Sequence, residues 1–346
     1  MDILISHLTA LSAMRRWELR RDFDPLCRSA MGVPASIPSS AEASRILSTA
    51  PFLEDLPHPL HVCAQGVRAR RSDLIAHPVT IPLPHGSVIG LGHGLLCVSP
   101  EHLVVQVARY LTDLELMMLL AELMGTYAID PDRERGFFTR NAPLATVESI
   151  RMHLDTLGRF PGTARVRRLL GMTCENAASP REAKLYLRIA LKPSLGGYHL
   201  PVAAVNRPIM VPRLGKPTHR GIRKPDLLLL PPALCKGGRF RGVTIEYDGS
   251  DHYDRRQHTV DTTRRSELQA IGFIEYGVNR DQYRDLAYMD GLDRCIRRDL
   301  GMRASGLTIE EQGRRRKLRE RLFIDLERID GMHWSRGEEI GGPSCC

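Results

Sequence analysis

The sequence predicts an α/β protein, with a mixed β-sheet flanked by helices in its C-terminal half and an α+β region before it. Three observations predict this. From residue 180 onward, the apolar patterns follow the order helix, strand, strand, strand, helix, strand, helix. Residues 58–98 contain short β-rich runs separated by Gly, Pro and His. Between these regions, most apolar residues recur at helical spacing.

Composition and length indicate a globular protein with more than one domain. The chain has 346 residues, of which 42% are apolar and 26% charged. No apolar run approaches the roughly 20 residues that cross a bilayer. The first residues place an apolar stretch before arginines, the reverse of a secretory signal. We therefore expect a cytoplasmic protein that does not contact membranes.

The charge balance favours an acidic partner such as nucleic acid. The formal net charge is +9. Six basic side chains cluster near the C-terminus: Arg314, Arg315, Arg316, Lys317, Arg319 and Arg321. They form either an ordinary solvated helix face or a phosphate-contacting patch. The eight cysteines include no C-x-x-C pair, so we expect free thiols rather than a structural zinc site.

Residues 1–174 are predicted to form an α+β domain for recognition or partner binding. Residues 1–55 have helical apolar spacing interrupted by the loop PASIPSS. The runs LHVCA, DLIAHPVTIPL, GSVIGL and GLLCVS predict a small antiparallel sheet. Four helices follow, in HLVVQVARYL, LELMMLLAELMG, ATVESIRMHLDTL and GTARVRRLLGM. The Leu/Met stripe of the second helix is interpreted as core rather than a cofactor site.

Residues 175–302 are predicted to form the mixed sheet. Ser-Pro-Arg-Glu at 179–182 begins the helix AKLYLRIAL, and VAAVNRPI is extended. KPDLLLL and RGVTIEYDG form two strands joined by a turn at 236–238. The helix DTTRRSELQAIG, the strand FIEYGV and the helix DLAYMDGLDRCIRRDLG complete the domain. Residues 303–346 are predicted to be a basic helix followed by a disordered tail.

An unusual group of acidic residues lies at the end of the strand VTIEYDG. Glu246 and Asp248 are two residues apart, so their side chains leave the same face of the strand. If the two strands form a hairpin, Asp226 lies near Glu246. Three crowded carboxylates would repel one another unless a cation joins them. Oxygen ligands select Mg²⁺ or Mn²⁺, so we expect Asp226, Glu246 and Asp248 to bind one of these metals.

The chemistry expected of such a group is phosphodiester hydrolysis. His252 lies a short turn beyond Asp248, which Gly249 makes possible, and its pKa range suits proton transfer. Together these residues predict an endonuclease.

The motif resembles that of a known family. PDLLLL, then TIEYDGSDH, then D-x-x-R-x-x-x-L-x-x-x-G at 261–272, is similar to the PD-(D/E)xK nuclease superfamily. Within it, the pattern resembles the branch related to very-short-patch-repair endonucleases, over residues 175–302. The region from ILISHLTAL to LLAELMG is similar to the front half of actinobacterial proteins related to abortive-infection antitoxins.

The resemblance implies a restriction-endonuclease-like fold and a set of site residues. Asp226 and Glu246 would be the metal carboxylates, and Glu182 the acid on the preceding helix. Asp248 stands where the standard motif has lysine, so His252 would take over proton chemistry and Lys224 or Arg264 the positive charge. Lys224, Arg264 and Arg280 are candidate DNA contacts.

Each of these residues also has an ordinary structural interpretation. Asp226 and Asp248 could be turn residues, and Glu182 completes a capping box with Ser179. His252 could be an exposed loop residue, and Arg264 could pair with Asp261 along one helix.

Two functions from different classes fit this sequence. The first is a Mg²⁺-dependent endonuclease that acts on DNA in repair or phage defence. The second is a catalytically degenerate protein that binds DNA or a toxin or defence-system partner. The resemblance leaves open whether the chain acts as a homodimer.

Overall fold

Apolar segments spread over the first hundred residues form one six-stranded sheet, in the order β3-β4-β2-β1-β6-β5. One of its inner strands, β1, consists of three fully buried residues. The strands are β1 (Ile3–Ile5), β2 (Leu60–Gln65), β3 (Ala69–Arg70), β4 (Leu74–Val79), β5 (Val88–Gly92) and β6 (Leu95–Val98).

The computed structural model describes residues 2–16, 18–19, 21–24, 28–49, 56, 58–214, 216–233, 237–248, 263–303 and 306–335. The chain divides into two units. The first comprises Met1–Gly171 together with Asp330–Cys346, and the second comprises Met172–Ile329. The first unit is therefore discontinuous in sequence, unlike the predicted domain of residues 1–174.

The prediction of an antiparallel sheet is wrong for two of the strand pairs. β1 runs parallel to β6, and β2 runs parallel to β4, while the other pairs are antiparallel. Apolar alternation marks a strand but carries no information about its direction. Ile3–Ile5 is a strand rather than part of a helix. The prediction failed here because three apolar residues are too few to distinguish helical from strand periodicity.

The helices of the first unit follow the prediction closely. α4 begins with a capping box between Thr112 and Glu115, and its residues from Leu116 to Leu123 are buried, which confirms that the Leu/Met stripe is core. Two short strands pair after it. The elements are α1 (His7–Met14), α2 (Ser40–Ser48), α3 (Pro100–Val107), α4 (Asp113–Leu123), β7 (Tyr127–Ile129), β8 (Phe137–Thr139), α5 (Val147–Leu157) and α6 (Thr163–Leu170).

The segment 330–335 returns to the first unit late in the chain. The Arg15 guanidinium donates to the Gly331 carbonyl at 2.8 Å. The Ser335 backbone N–H and hydroxyl both donate to Glu115 Oε1, at 2.6 and 2.7 Å. These bonds attach the segment to Arg15, which directly follows α1, and to α4.

A four-stranded mixed sheet, in the order β14-β13-β12-β9, forms the centre of the second unit. The predicted order of helices and strands from residue 180 is confirmed, with additions: the antiparallel hairpin of β10 and β11, a short 3-10 helix at Pro193–Leu195 and the short helix α9. The elements are α7 (Pro180–Ala190), β9 (Val202–Val205), β10 (Ile209–Arg213), β11 (Lys216–Arg223), β12 (Leu227–Leu229), β13 (Gly242–Asp248), α8 (helical at 263–269), β14 (Phe273–Asn279), α9 (Arg280–Arg284), α10 (Leu286–Asp299) and α11 (Ile309–Arg328).

The basic helix α11 belongs to the second unit rather than to a separate C-terminal region. Arg314 and Arg315 both pair with Glu311, and Arg319 pairs with Asp290 at 2.8 Å. These ion pairs favour the interpretation of an ordinary helix face over a dedicated phosphate patch. Among the described residues, no helix combines the length and the apolarity that a bilayer crossing requires.

Candidate acidic site on the C-terminal sheet

The predicted hairpin of two strands places Asp226 beside Glu246. In the antiparallel pair of β12 and β13, Leu227 lies opposite Ile245. Continuing this register by one residue places Asp226 opposite Glu246, and directly opposite residues share one face of a sheet. The Tyr247 backbone N–H donates to Asp226 Oδ2 at 2.6 Å, which fixes the Asp226 side chain against β13. Asp226 therefore lies against β13, opposite Glu246.

A third carboxylate, from Glu275, lies on the same face. β13 and β14 are parallel, and Thr244 pairs with Glu275. Because Thr244 and Glu246 are two residues apart, Glu275 shares their face. Three neighbouring segments of the sheet thus each contribute one acid. We call Asp226, Glu246 and Glu275 the acidic face.

Arg264 on α8 supplies the positive charge at the acidic face. Its guanidinium forms a close ion pair with Glu246 Oε1, and its Nε lies 3.0 Å from Glu275 Oε2. Glu246 Oε1 and Glu275 Oε2 are buried, yet neither accepts a well-formed hydrogen bond. The nearby positive charge of Arg264, rather than hydrogen bonding, therefore compensates the negative charge on these two buried oxygens.

The protonation of Asp226 is strongly perturbed. Burial, and after it the negative charge of Glu182, raise the pKa of this carboxyl to about 7. The Tyr247 N–H and Arg264 oppose the shift. A carboxyl that titrates near neutrality can exchange a proton at physiological pH, which is typical of functional sites.

The predicted capping box is not closed, because the Glu182 carboxylate reaches the backbone N–H of Ala178 rather than that of Ser179. Glu182 also lies near Asp226. It accepts hydrogen bonds from the Ala178 backbone N–H at 2.7 Å and from the Ser179 hydroxyl at 2.9 Å. The Asn206 side-chain amide donates to its Oε2 at 2.5 Å. These donors hold a buried carboxylate at the start of α7, within electrostatic reach of Asp226.

A second ion-pair cluster orients the segments that carry Asp226 and Arg264. Glu267 on α8 is buried, with 1% of its side chain exposed. It accepts two hydrogen bonds from Arg223 at 2.6 and 2.9 Å, and Arg213 lies 3.3 Å away. Since Arg223 ends β11 shortly before Asp226, this cluster joins the β10–β11 hairpin to α8 and positions both sides of the acidic face.

The structure does not bring all the predicted residues together. Asp248 is exposed at the end of β13, and Lys224 and Arg280 are exposed as well. No three acidic side chains of the described residues have oxygens within 4.8 Å of one another, so neither Asp226, Glu246 and Asp248 nor the three acids of the acidic face converge on one point. His252, with Gly249, lies outside the described residues.

Sequence reasoning missed Glu275 and Glu267. Glu275 lies within the apolar run FIEYGV, just as Glu246 lies within VTIEYD. An acid in the middle of an apolar strand is costly unless paired, so the signal that identified Glu246 also applied to Glu275. Glu267 had no such signal, because acids are ordinary on helices.

Comparison with known proteins gave no match: no protein-family model, curated protein or solved structure matches the chain. The resemblance to PD-(D/E)xK nucleases therefore stays a hypothesis that depends on the motif and on the arrangement of the acidic face.

Proposed function

We propose that the second unit is a metal-dependent nuclease domain that hydrolyses phosphodiester bonds in DNA. One observation carries the proposal: neighbouring strands place Asp226, Glu246 and Glu275 on one face, with the pKa of Asp226 raised to about 7. The order α7, β9, β12, β13, α8, β14 supports assigning a restriction-endonuclease-like fold to this unit.

The residues of the acidic face fit a hard divalent cation. They offer carboxylate oxygens only, and their negative charge is balanced by Arg264. Mg²⁺ and Mn²⁺ prefer such ligands. Asp226 and Glu246 would hold the ion, which would polarise the phosphate and lower the pKa of a nearby water. Glu182 would orient Asp226 electrostatically, and Arg264 would balance negative charge that develops on the phosphate.

The raised pKa of Asp226 has a clear consequence for metal binding. A cation competes with the proton for the carboxylate, so affinity for Mn²⁺ is expected to rise with pH through neutrality. The net charge of +9 supports a polyanionic substrate.

Mn²⁺ titration of the purified full chain tests the site. Wild-type protein is expected to gain about 2.7 kcal/mol in unfolding free energy at a Mn²⁺ concentration 100 times the Kd. Glu246→Gln removes a ligand charge and should lose most of this gain, together with Mn²⁺-dependent cleavage of plasmid DNA. Thermal unfolding and gel electrophoresis measure the two effects.

Glu320→Gln is the matched control, because Glu320 is exposed on α11. It should retain the full Mn²⁺ response. Equal stabilisation of wild type and Glu246→Gln by Mn²⁺, or equal cleavage by both, would remove the proposal.

A second candidate function has its own observation. The Arg264 guanidinium lies against both Glu246 and Glu275, and Asp248 stands in the position where the family motif has lysine. An internal cation in this position neutralises the acids without a metal. The same unit would then be a catalytically degenerate protein that binds DNA or a protein partner.

Arg264→Gln separates the two candidates. Removing a competing cation should tighten Mn²⁺ binding by about 10-fold, equivalent to about 1.4 kcal/mol. In the nuclease, this variant should bind Mn²⁺ more tightly yet cleave more slowly, because charge balance on the phosphate is lost. Calorimetric titration and plasmid cleavage measure the two effects. If neither the wild-type protein nor Arg264→Gln binds Mn²⁺, and both bind DNA equally well, the catalytically degenerate binding protein is favoured.

A further inference from the structure

Three histidines, two on neighbouring strands and one at the start of α1, converge in the first unit. His61 lies on β2 and His77 on β4, while His7 directly follows Ser6 at the end of β1. β2 lies between β1 and β4 in the sheet. The register pairs Cys63 with His77, so His61 and His77 share a face. We call His7, His61 and His77 the histidine cluster.

The ring nitrogens of the histidine cluster have the spacing of metal ligands. One nitrogen from each ring lies within 4.8 Å of the other two, and among the described residues no other group of His, Cys, Asp or Glu meets this criterion. His61 Nδ1 and His77 Nε2 are 2.9 Å apart. Tetrahedral ligands at ~2.0–2.1 Å from zinc lie about 3.3 Å apart. The His7 and His77 rings are stacked, with centroids 3.9 Å apart, so binding an ion requires these rings to rotate until their nitrogens face one centre.

His7 is held in a specific orientation. Its backbone has a φ of 49°, in the left-handed region that residues other than glycine rarely adopt. Its Nδ1 lies 3.0 Å from the Ser6 hydroxyl, and its backbone N–H donates to Gln106 Oε1 at 3.3 Å. An engaged Nδ1 leaves Nε2 for a ligand, which is the arrangement usual for histidines that bind metals.

The surroundings favour neutral imidazoles. Burial lowers the pKa of His61 to about 4 and of His77 to about 3. The neutral ring is the form that binds metals. Cys63 lies on the same sheet face but is not part of this group, and Gln106 donates to its sulfur at 3.5 Å.

We propose that His7, His61 and His77 form a binding site for Zn²⁺ with three nitrogen ligands and one open coordination position. Three imidazoles are borderline-soft ligands, which suit Zn²⁺ and not Mg²⁺. Three-histidine sites that retain an open position are typical of catalytic zinc. This site is therefore chemically distinct from the acidic face, whose oxygens suit a hard ion.

Titration of the metal-free full chain with Co²⁺ tests the site, since Co²⁺ in a tetrahedral nitrogen site has a visible absorption that Zn²⁺ abolishes on displacement. Wild-type protein is expected to bind one equivalent in the tetrahedral form that absorbs visible light. His61→Ala and His77→Ala should each weaken binding by at least about 100-fold, because even loss of an outer partner costs 10–100-fold. Both side chains are only partly buried, so either variant suffices if it retains the wild-type circular dichroism spectrum.

Two controls make the outcome decisive. His85→Ala removes an exposed histidine of the same unit and should bind Co²⁺ as wild type does. Glu246→Gln should also bind it normally, so failure of the acidic site and failure of this one are distinguishable. Absence of saturable Co²⁺ or Zn²⁺ binding by folded wild-type protein would overturn the proposal. Unchanged Co²⁺ binding by folded His61→Ala and folded His77→Ala would also overturn the proposal. The three rings would then be a hydrogen-bonded cluster without a metal.

Discussion

Asp226→Asn is expected to abolish metal-dependent cleavage and, at the same time, to stabilise the protein at alkaline pH. The substitution removes the ligand charge that the proposed ion needs, so activity should fall by at least about 100-fold. The backbone around residue 226 should persist, since asparagine can still accept the hydrogen bond from the Tyr247 N–H. Plasmid cleavage with Mn²⁺ measures the loss.

The stability of the protein should depend on pH because folding raises the pKa of Asp226. The pKa of Asp226 rises from 3.8 to about 7 on folding. Between these pH values the folded state binds more protons than the unfolded state, so wild-type stability declines as pH rises from about 4 to 7. Asp226→Asn removes this decline and should gain on the order of 1–3 kcal/mol at pH 8. Urea unfolding at pH 5 and pH 8 measures it.

Asp281→Asn is the matched control, since Asp281 is exposed in the first turn of α9. It should change neither cleavage nor the pH profile. An Asp226→Asn variant that cleaves normally would exclude a catalytic role for this residue. A variant with the wild-type pH dependence would show that Asp226 does not titrate as inferred.

Glu122→Ala is expected to destabilise the first unit by about 3–5 kcal/mol, a large part of the stability of an ordinary domain. Glu122 is 3% exposed. It accepts two hydrogen bonds from Arg15, at 2.8 and 2.6 Å, and one from the Ile129 N–H at 3.1 Å. Its negative charge also favours the charged form of the buried Arg140. Truncation leaves buried cations without their anion, which costs more than the lost bonds.

Chemical denaturation of Glu122→Ala and of a surface control measures this effect. Glu148→Ala removes a partner of Arg151 whose side chain is 71% exposed, and should change stability by no more than about 0.5 kcal/mol. Glu122→Gln should lie between the two, since the amide retains one acceptor. A loss below about 1 kcal/mol for Glu122→Ala would contradict the inferred role.

The acidic site was largely predictable because its chemistry is local in sequence. Asp226 and Glu246 belong to two strand segments that are consecutive in the chain, so the pairing follows from the pattern alone. Asp248 shows the limit of that reasoning. It shares a face with Glu246, but at the end of the strand its side chain is exposed rather than directed toward the other acids.

Other features depended on information that short patterns do not carry. The β10–β11 hairpin was missed because most of its residues lie within PRLGKPTHRGIRKP, which is rich in Pro, Gly and basic side chains that usually indicate a loop. The histidine cluster was missed because its members lie in three separate segments. Only the pairing of β1 with β2, and of β2 with β4, brings them together.

The late return of residues 330–335 constrains how the protein can be made. Ser335 and Gly331 supply bonds to Glu115 and Arg15, which are synthesised long before them. A ribosome must therefore complete the whole second unit before the first unit can form its last contacts. During that interval the Glu115 carboxylate and one Arg15 donor lack these partners, so the nascent first unit should be more susceptible to proteolysis than the finished chain.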